Sequence, residues 1–217
     1  TQKNVSVLHK VWNSYGMLLI FFVIFLASCI FIPNFATVIN MKGLGLAISM
    51  SGMVACGMLF CLAAGEIDLS VASVIACAGV VTAVVLNQTQ SIFLGVSAGL
   101  GLGAVIGLIN GFVIAKLKIN SLITTLASMQ IARGLGYIIS DGKAVGITKE
   151  EFFDLGYQSF LGIPLPIWFT IVCIGIFGFL LSKTTYGRNT LAIGGNEEAS
   201  RLAGINVDRT KLIIFVV

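Results

Sequence analysis

The chain has 217 residues, 57% of them hydrophobic and only 10% charged, with a mean hydropathy of +1.02. A soluble domain carries about 25% charged residues, so there is too little polar surface here to coat a water-soluble globule. The composition is that of an integral membrane protein. The net charge of +4 is small and scattered, which argues for loop asymmetry across a bilayer and against a nucleic-acid partner.

Apolar runs, uncharged but for Arg133 near the end of the fifth, predict spans over residues 15–32, 44–64, 69–86, 92–115, 119–139 and 163–181, with a seventh beginning at Leu212. The bilayer core offers no hydrogen-bond partners, so backbone groups must pair internally and helices are the default. The expected fold is therefore all-α: a polytopic transmembrane helical bundle of six complete spans plus the start of a seventh, in a single domain over 1–217. The chain starts at Thr1 and ends inside the run LIIFVV. Crossing the hydrocarbon needs about 20 helical residues, so the sequence reads as a fragment lacking its C-terminal part.

The first run follows Lys3 and Lys10 and contains Leu26-Ala27-Ser28-Cys29, which imitates a lipoprotein signal. The apolar stretch continues to Ile32 and more spans follow, so an uncleaved first helix is expected. Cys29, Cys56, Cys61, Cys77 and Cys173 all lie in apolar runs without C-x-x-C spacing, and read as small apolar filler.

Between the second and third runs, Ala64 to Ser70 reads AGEIDLS. A carboxylate near the bilayer centre costs about 2.5–3.5 kcal/mol on insertion scales. Two readings of Glu66 and Asp68 stand equally: a helix break at a membrane face, with Asp68 or Ser70 capping the next helix, or a broken helix on the path of a polar solute. In the fourth run Gly95, Gly99, Gly103, Gly107 and Gly111 recur every fourth residue. Four consecutive G-x-x-x-G steps predict an interior helix with close backbone packing. In the fifth, Ser121, Thr124, Thr125 and Ser128 share one face. They serve helix packing or line a hydroxyl-rich groove for a sugar.

The remaining charge concentrates between Gly187 and Lys211. There a glycine pair precedes Glu197 and Glu198, which suit a helix N-terminus; Ala199, Leu202 and Ala203 give an apolar face, and Gly204 is a natural stop. A short amphipathic helix presented as a docking surface is expected. Basic residues set the orientation. With the N-terminus cytoplasmic, Lys3, Lys10, Lys116, Lys118, Lys183, Arg188, Arg201, Arg209 and Lys211 fall inside, against Lys42, Arg133, Lys143 and Lys149 outside. Residues 187–211 are then cytoplasmic and the acidic loop 140–162 is external. His9 is the sole histidine, and no G-x-x-x-x-G-K-[ST] loop occurs. No enzyme chemistry, metal or cofactor is therefore expected.

Glu198-Ala199-Ser200-x-x-x-Gly204 resembles the E-A-A-x-x-x-G cytoplasmic loop with which ABC importer permeases dock in a cleft of the ATPase subunit. It departs from that pattern at Ser200 and lacks the trailing I-x-L-P. GEIDLSVAS (65–73) resembles the G-x-I-D-L-S-V-x-S signature of ribose/xylose-type sugar permeases. NMKGLGLAISMSGMVACGMLFCLA (40–63), NGFVIAKLKIN (110–120), YIISDGKAVGI (137–147) and TTYGRNTLAIGGNEEASRLAGI (184–205) resemble the same family. The resemblance covers nearly the whole chain. It implies the membrane subunit of an ATP-driven monosaccharide importer in the bacterial inner membrane, carrying L-arabinose first, or another sugar such as ribose or xylose. It further implies a homodimer of permease copies surrounded by membrane lipid, a cytoplasmic ATPase subunit that carries the ATPase activity, and a periplasmic sugar-binding protein. Glu197, Glu198, Ala199 and Gly204 would then couple to the ATPase, whose closure rocks packed helices between two access states. An ion-coupled secondary sugar transporter working through Glu66 or Asp68 is the alternative.

Overall fold

The protein is described here by a computed structural model covering residues 2–216. Thr1, Val217 and the side chains of residues 2–8, 10, 11 and 14, Lys3 and Lys10 among them, lie outside the described residues. Two compact units divide the chain, Thr1–Ala47 and Ile48–Val217. The first contains α1 (Gln2–Phe31) and the opening turns of α2 (Val38–Ala63). Helix α1 starts well before the predicted boundary at residue 15, because nothing in 2–14 breaks it: there is neither proline nor glycine. Its apolar part, Tyr15–Phe31, is about 25 Å long at 1.5 Å per residue, the lower end of what spans a bilayer. Pro33 then stops the helix. Asn34 takes φ 63°, and Thr37 Oγ1 donates to its carbonyl at 2.8 Å.

The second unit continues α2 and adds α3 (Val71–Thr89), α4 (Ile92–Lys116), α5 (Ser121–Ser140), α6 (Glu151–Tyr157), the strands β1 (Ser159–Phe160) and β2 (Ile163–Pro164), then α7 (Leu165–Lys183), α8 (Thr185–Gly195), α9 (Glu197–Leu202) and α10 (Val207–Val216). Helices α2, α3, α4, α5 and α7 are long and apolar enough to cross a membrane. Large side chains cover their outer surfaces, including Phe93 and Ile138, both more than three-quarters exposed. That pattern suits lipid and not water.

Polar residues at the run edges set the boundaries. Ser91 Oγ, Asn120 Oδ1, Thr184 Oγ1 and Asn196 Oδ1 each accept a backbone N–H of the helix that follows. Asn120 therefore starts α5 two residues later than hydropathy alone suggests. Antiparallel β1 and β2 pair Ser159 with Pro164 and Phe160 with Ile163, and turn through Leu161 and Gly162, both at positive φ.

Helix α4 packs against α3 and α10, and α3 also packs against α5. The glycine repeat accounts for both α4 contacts. Four residues advance a helix by about 400°, so the stripe drifts about 40° per step. A Cβ added at Gly95 would lie 2.8 Å from Leu86 Cβ, and one at Gly99 would strike Thr82 of α3; at Gly107 it would strike the Phe215 carbonyl, and at Gly111 it would lie 2.9 Å from Leu212 Cα of α10. Gly103, midway, corrects the single-face expectation, since a Cβ there meets only Val74 Cγ1 at 3.9 Å. One stripe thus serves two partners and skips its middle member.

A core of Phe60, Cys61, Ala64, Ile114, Ile214 and Phe215 joins the ends of α2 and α4 to α10, with Phe177 and Tyr186 packed on it. The Phe60 ring stacks on Tyr186 at 5.5 Å and meets Phe177 edge-on at 5.8 Å. Cys56, Cys61 and Cys77 are buried free thiols, as expected of apolar filler. At the far end of α3, Asn87 holds the loop after α5. Its Nδ2 donates to the Gly146 carbonyl at 2.7 Å, and its Oδ1 accepts from Thr148 N and Oγ1, both at 3.0 Å.

Candidate functional site

Helix α9 begins where Asn196 Oδ1 accepts from Ala199 N at 2.9 Å, and it ends before Gly204, whose φ of +85° only glycine adopts without strain. Its two faces differ sharply. Glu198, Ala199, Leu202 and Ala203 point outward, and Leu202 is 87% exposed. Glu197 points inward, so it does not share the outward role expected for it alongside Glu198.

Glu197 belongs to a charged clamp. Lys211 Nζ on α10 lies 2.7 Å from Glu197 Oε2 and 2.5 Å from Glu66 Oε1, and its side chain is only 9% exposed. Arg201 binds Glu197 at 3.2 Å and Asp208 at 3.1 Å. Asp208 also takes Lys116 at 3.2 Å and Lys118 at 3.0 Å from the end of α4. Hydrogen bonding from Lys211 holds the Glu197 carboxyl below the usual carboxylate range. Hydrogen bonding from Lys118, then from Lys116 and Arg201, holds Asp208 well below it. A nonhelical turn (64–70), α4, α9 and α10 are thereby tied together at one end of the unit. The backbone allows this closeness, because a Cβ at Gly194 would strike the Ala63 carbonyl.

The turn itself departs from expectation. Ser70 makes no side-chain cap to α3. Instead Asp68 Oδ1 accepts from Ser70 N at 2.7 Å and from Ser70 Oγ at 2.6 Å, closing an Asx-type turn just before the helix. Glu66, read as a possible pathway residue, is occupied by Lys211. The hydroxyl face of α5 is occupied too. Thr125 Oγ1 donates to Ser121 O at 2.8 Å, Thr124 Oγ1 to Asn120 O at 3.0 Å and Ser128 Oγ to Thr125 O at 3.1 Å, while Ser121 Oγ accepts from Ile67 N at 3.4 Å. None of the four lines the cavity described next, and their hydrogen bonds pack this face of α5 on its own backbone and on the turn.

The cavity lies elsewhere. About 870 Å³ opens between α2, α3, α4 and α10, lined mainly by apolar groups and by Asp68, Ser70, Thr82 and Asn110. Of the six proposed pathway residues only Asp68 reaches it. Asn110 was missed, although an asparagine inside an otherwise apolar span was signal enough. Lys116, Lys118, Arg201, Asp208 and Lys211 were noticed as loop charges but not as a clamp.

Fold and site define a polytopic helical membrane protein with an internal cavity and, at one end, a clamped helix that offers an unpartnered apolar face. Residues 40–217 match the family described as branched-chain amino acid transport system / permease component, and the chain belongs to that family. It is 73% identical over 207 residues to the L-arabinose transport system permease protein AraH of Escherichia coli K12, covering 95% of this chain and 63% of that protein. The L-arabinose ABC transporter permease protein AraH of Azospirillum brasilense is 49% identical, with 94% and 60% covered. The ribose import permease protein RbsC of Haemophilus influenzae is 34% identical, with 85% and 58% covered. The chain thus spans about three fifths of the length of these curated relatives. No solved structure matches it.

Proposed function

We propose that this chain builds the translocation pathway of an ATP-driven monosaccharide importer, with L-arabinose as the substrate. The names of the two relatives at 73% and 49% identity support that sugar over ribose, whose permease stands at 34%. The chain works in the bacterial inner membrane as one of two permease copies. A separate cytoplasmic subunit hydrolyses ATP, and a periplasmic sugar-binding protein delivers substrate at the side of the 140–162 loop.

The observation that carries this reading is α9: a leucine 87% exposed beside Glu198 and Ala199, on a helix fixed from behind by the Lys211 clamp. A leucine held out into water by a rigid support suits burial in another protein's cleft. The clamp then transmits the push. Force on α9 passes through Glu197 and Lys211 to Glu66, two residues from Asp68 in the cavity wall. Ion coupling through Glu66 is disfavoured, since its carboxylate is already paired.

In the full-length parent, Leu202→Glu and Glu198→Arg test the docking face. Both should insert and melt normally, yet lose co-purification with the ATPase and lose L-arabinose uptake. Normal uptake and normal ATPase binding in both variants would reject α9 as the docking helix.

A further inference from the structure

The 870 Å³ cavity carries one polar cluster whose hydrogen bonding is incomplete, and the direction of each bond in it can be fixed. Asp68 Oδ1 accepts from the Ser70 backbone N–H at 2.7 Å, and Ser70 Oγ–H donates to the same oxygen at 2.6 Å. Having spent its proton, Ser70 Oγ must accept from its other neighbour, and Asn110 Nδ2 lies 3.2 Å away. The amide of Asn110 is thereby fixed with Oδ1 on the other side. That oxygen has no partner among the described residues, although Asn110 is only 1% exposed. An unpaired buried carbonyl is costly, and native structures retain such groups for a reason. Asp68 Oδ2 likewise takes no hydrogen bond among the described residues. Both residues line the cavity, and Thr82 lies twelve residues above Ser70 on α3, about 18 Å along it.

We infer that Asp68 and Asn110 form a subsite for the hydroxyl groups of a sugar in transit, with Ser70 as the relay that orients them. This inference rests on the proposed importer function. Two acceptors held without donors suit a ligand rich in O–H groups. Beyond Thr82 the remainder of the wall is mainly apolar, so a sugar is held briefly and released. A strongly polar tunnel would retain it.

The test uses the full-length parent in proteoliposomes with its ATPase and sugar-binding partner, with L-arabinose as the probe. Asn110→Leu removes the unpaired carbonyl at similar volume. Uptake per ATP hydrolysed should fall on the order of tenfold, the loss of one to two hydrogen bonds, while the melting temperature stays level or rises. Asp68→Asn, which replaces an acceptor by an NH2 donor, should also lower uptake. Unchanged uptake in Asn110→Leu would overturn the subsite, as would reduced uptake accompanied by a melting temperature several degrees lower, which marks a structural tie. Uptake by the parent that needs sodium and no ATP would overturn it in favour of a cation site. A parent that takes up no monosaccharide at all would instead reject the proposed function, which separates the two failures.

Discussion

At the α9 end of the second unit, Lys116, Lys118, Arg201 and Lys211 meet Glu66, Glu197 and Asp208, most within 3.2 Å of a partner. At the other end of α3 no ion pair among the described residues holds the loop to the helix: Asn87 makes three hydrogen bonds to it, Gln90 Nε2 donates to Thr148 Oγ1 at 3.3 Å, and Lys149 Nζ donates to the Gln90 carbonyl at 2.8 Å. The glycine contacts divide in the same way, Gly107 and Gly111 serving α10 near the clamp, and Gly95 and Gly99 serving α3 towards Asn87. The contrast concerns adjustability. Ion pairs respond to salt, to pH and to an approaching charged partner, whereas amide hydrogen bonds are nearly indifferent to all three. The clamp end is built to be acted upon and the Asn87 end to stay fixed.

The strongest way to break this contrast is Lys211→Met. It leaves Glu66 and Glu197 facing each other without the shared cation, in a site where the lysine side chain is 9% and Glu66 13% exposed. Removing one member of a buried pair costs about 3 kcal/mol or more. Thermal melting of the full-length parent in detergent should show a drop of several degrees, and adding Glu66→Gln should recover part of it. Equal melting of parent and variant would mean that the clamp holds nothing.

Next comes the glycine stripe. Gly107→Ala drives a methyl into the Phe215 carbonyl and should cost about 1–3 kcal/mol. Gly103→Ala has room and should stay within about 0.5 kcal/mol. Equal losses at the two positions would restore the single-face picture. Asn87→Ala should cost about 1–2 kcal/mol and speed proteolysis of residues 141–150, by the same amount at low and high salt.

The smallest effect is on pH. Glu197 and Asp208 have carboxyl pKa values lowered on folding, from 4.5 and 3.8. Their contribution is therefore complete above about pH 5 and is lost as pH falls through the lower folded values. Melting curves of the parent should shift down with acid below pH 4.5 more than those of Lys211→Met, which has already lost part of the clamp. Parallel shifts would place the pH sensitivity elsewhere.

Hydropathy made the spans legible, because a lipid-facing helix must be apolar over its whole length whatever its neighbours are. Their grouping was legible too: Lys116, Lys118, Arg201 and Lys211, all assigned to one side by charge asymmetry, gather at one end of the unit. Which charge meets which was not, since Lys211 and Glu66 are 145 residues apart and nothing local encodes their approach. The α5 hydroxyls were ambiguous for a related reason. Back-bonding to the preceding turn and lining a groove demand the same one-faced spacing, and only the position of the turn 64–70 decides between them. Asn110 was legible in principle, its cost in an apolar span being the signal, but its relay to Asp68 requires α3 and α4 to be packed first.

The contact of α4 with α10 also has a bearing on motion. Where Gly107 and Gly111 face Phe215 and Leu212, backbone lies directly on backbone, while further along the helices Ile114 packs with Ile214 and Phe215 and Lys116 binds Asp208. A meshed interface must unlock rotamers before it slips, so it moves in steps. At these two positions the contact resembles a smooth bearing, along which a small axial displacement of α10 trades one set of weak Cα–H···O contacts for the next. At the two glycines, an axial shift of α10 by fractions of an ångström needs no side chain to change rotamer.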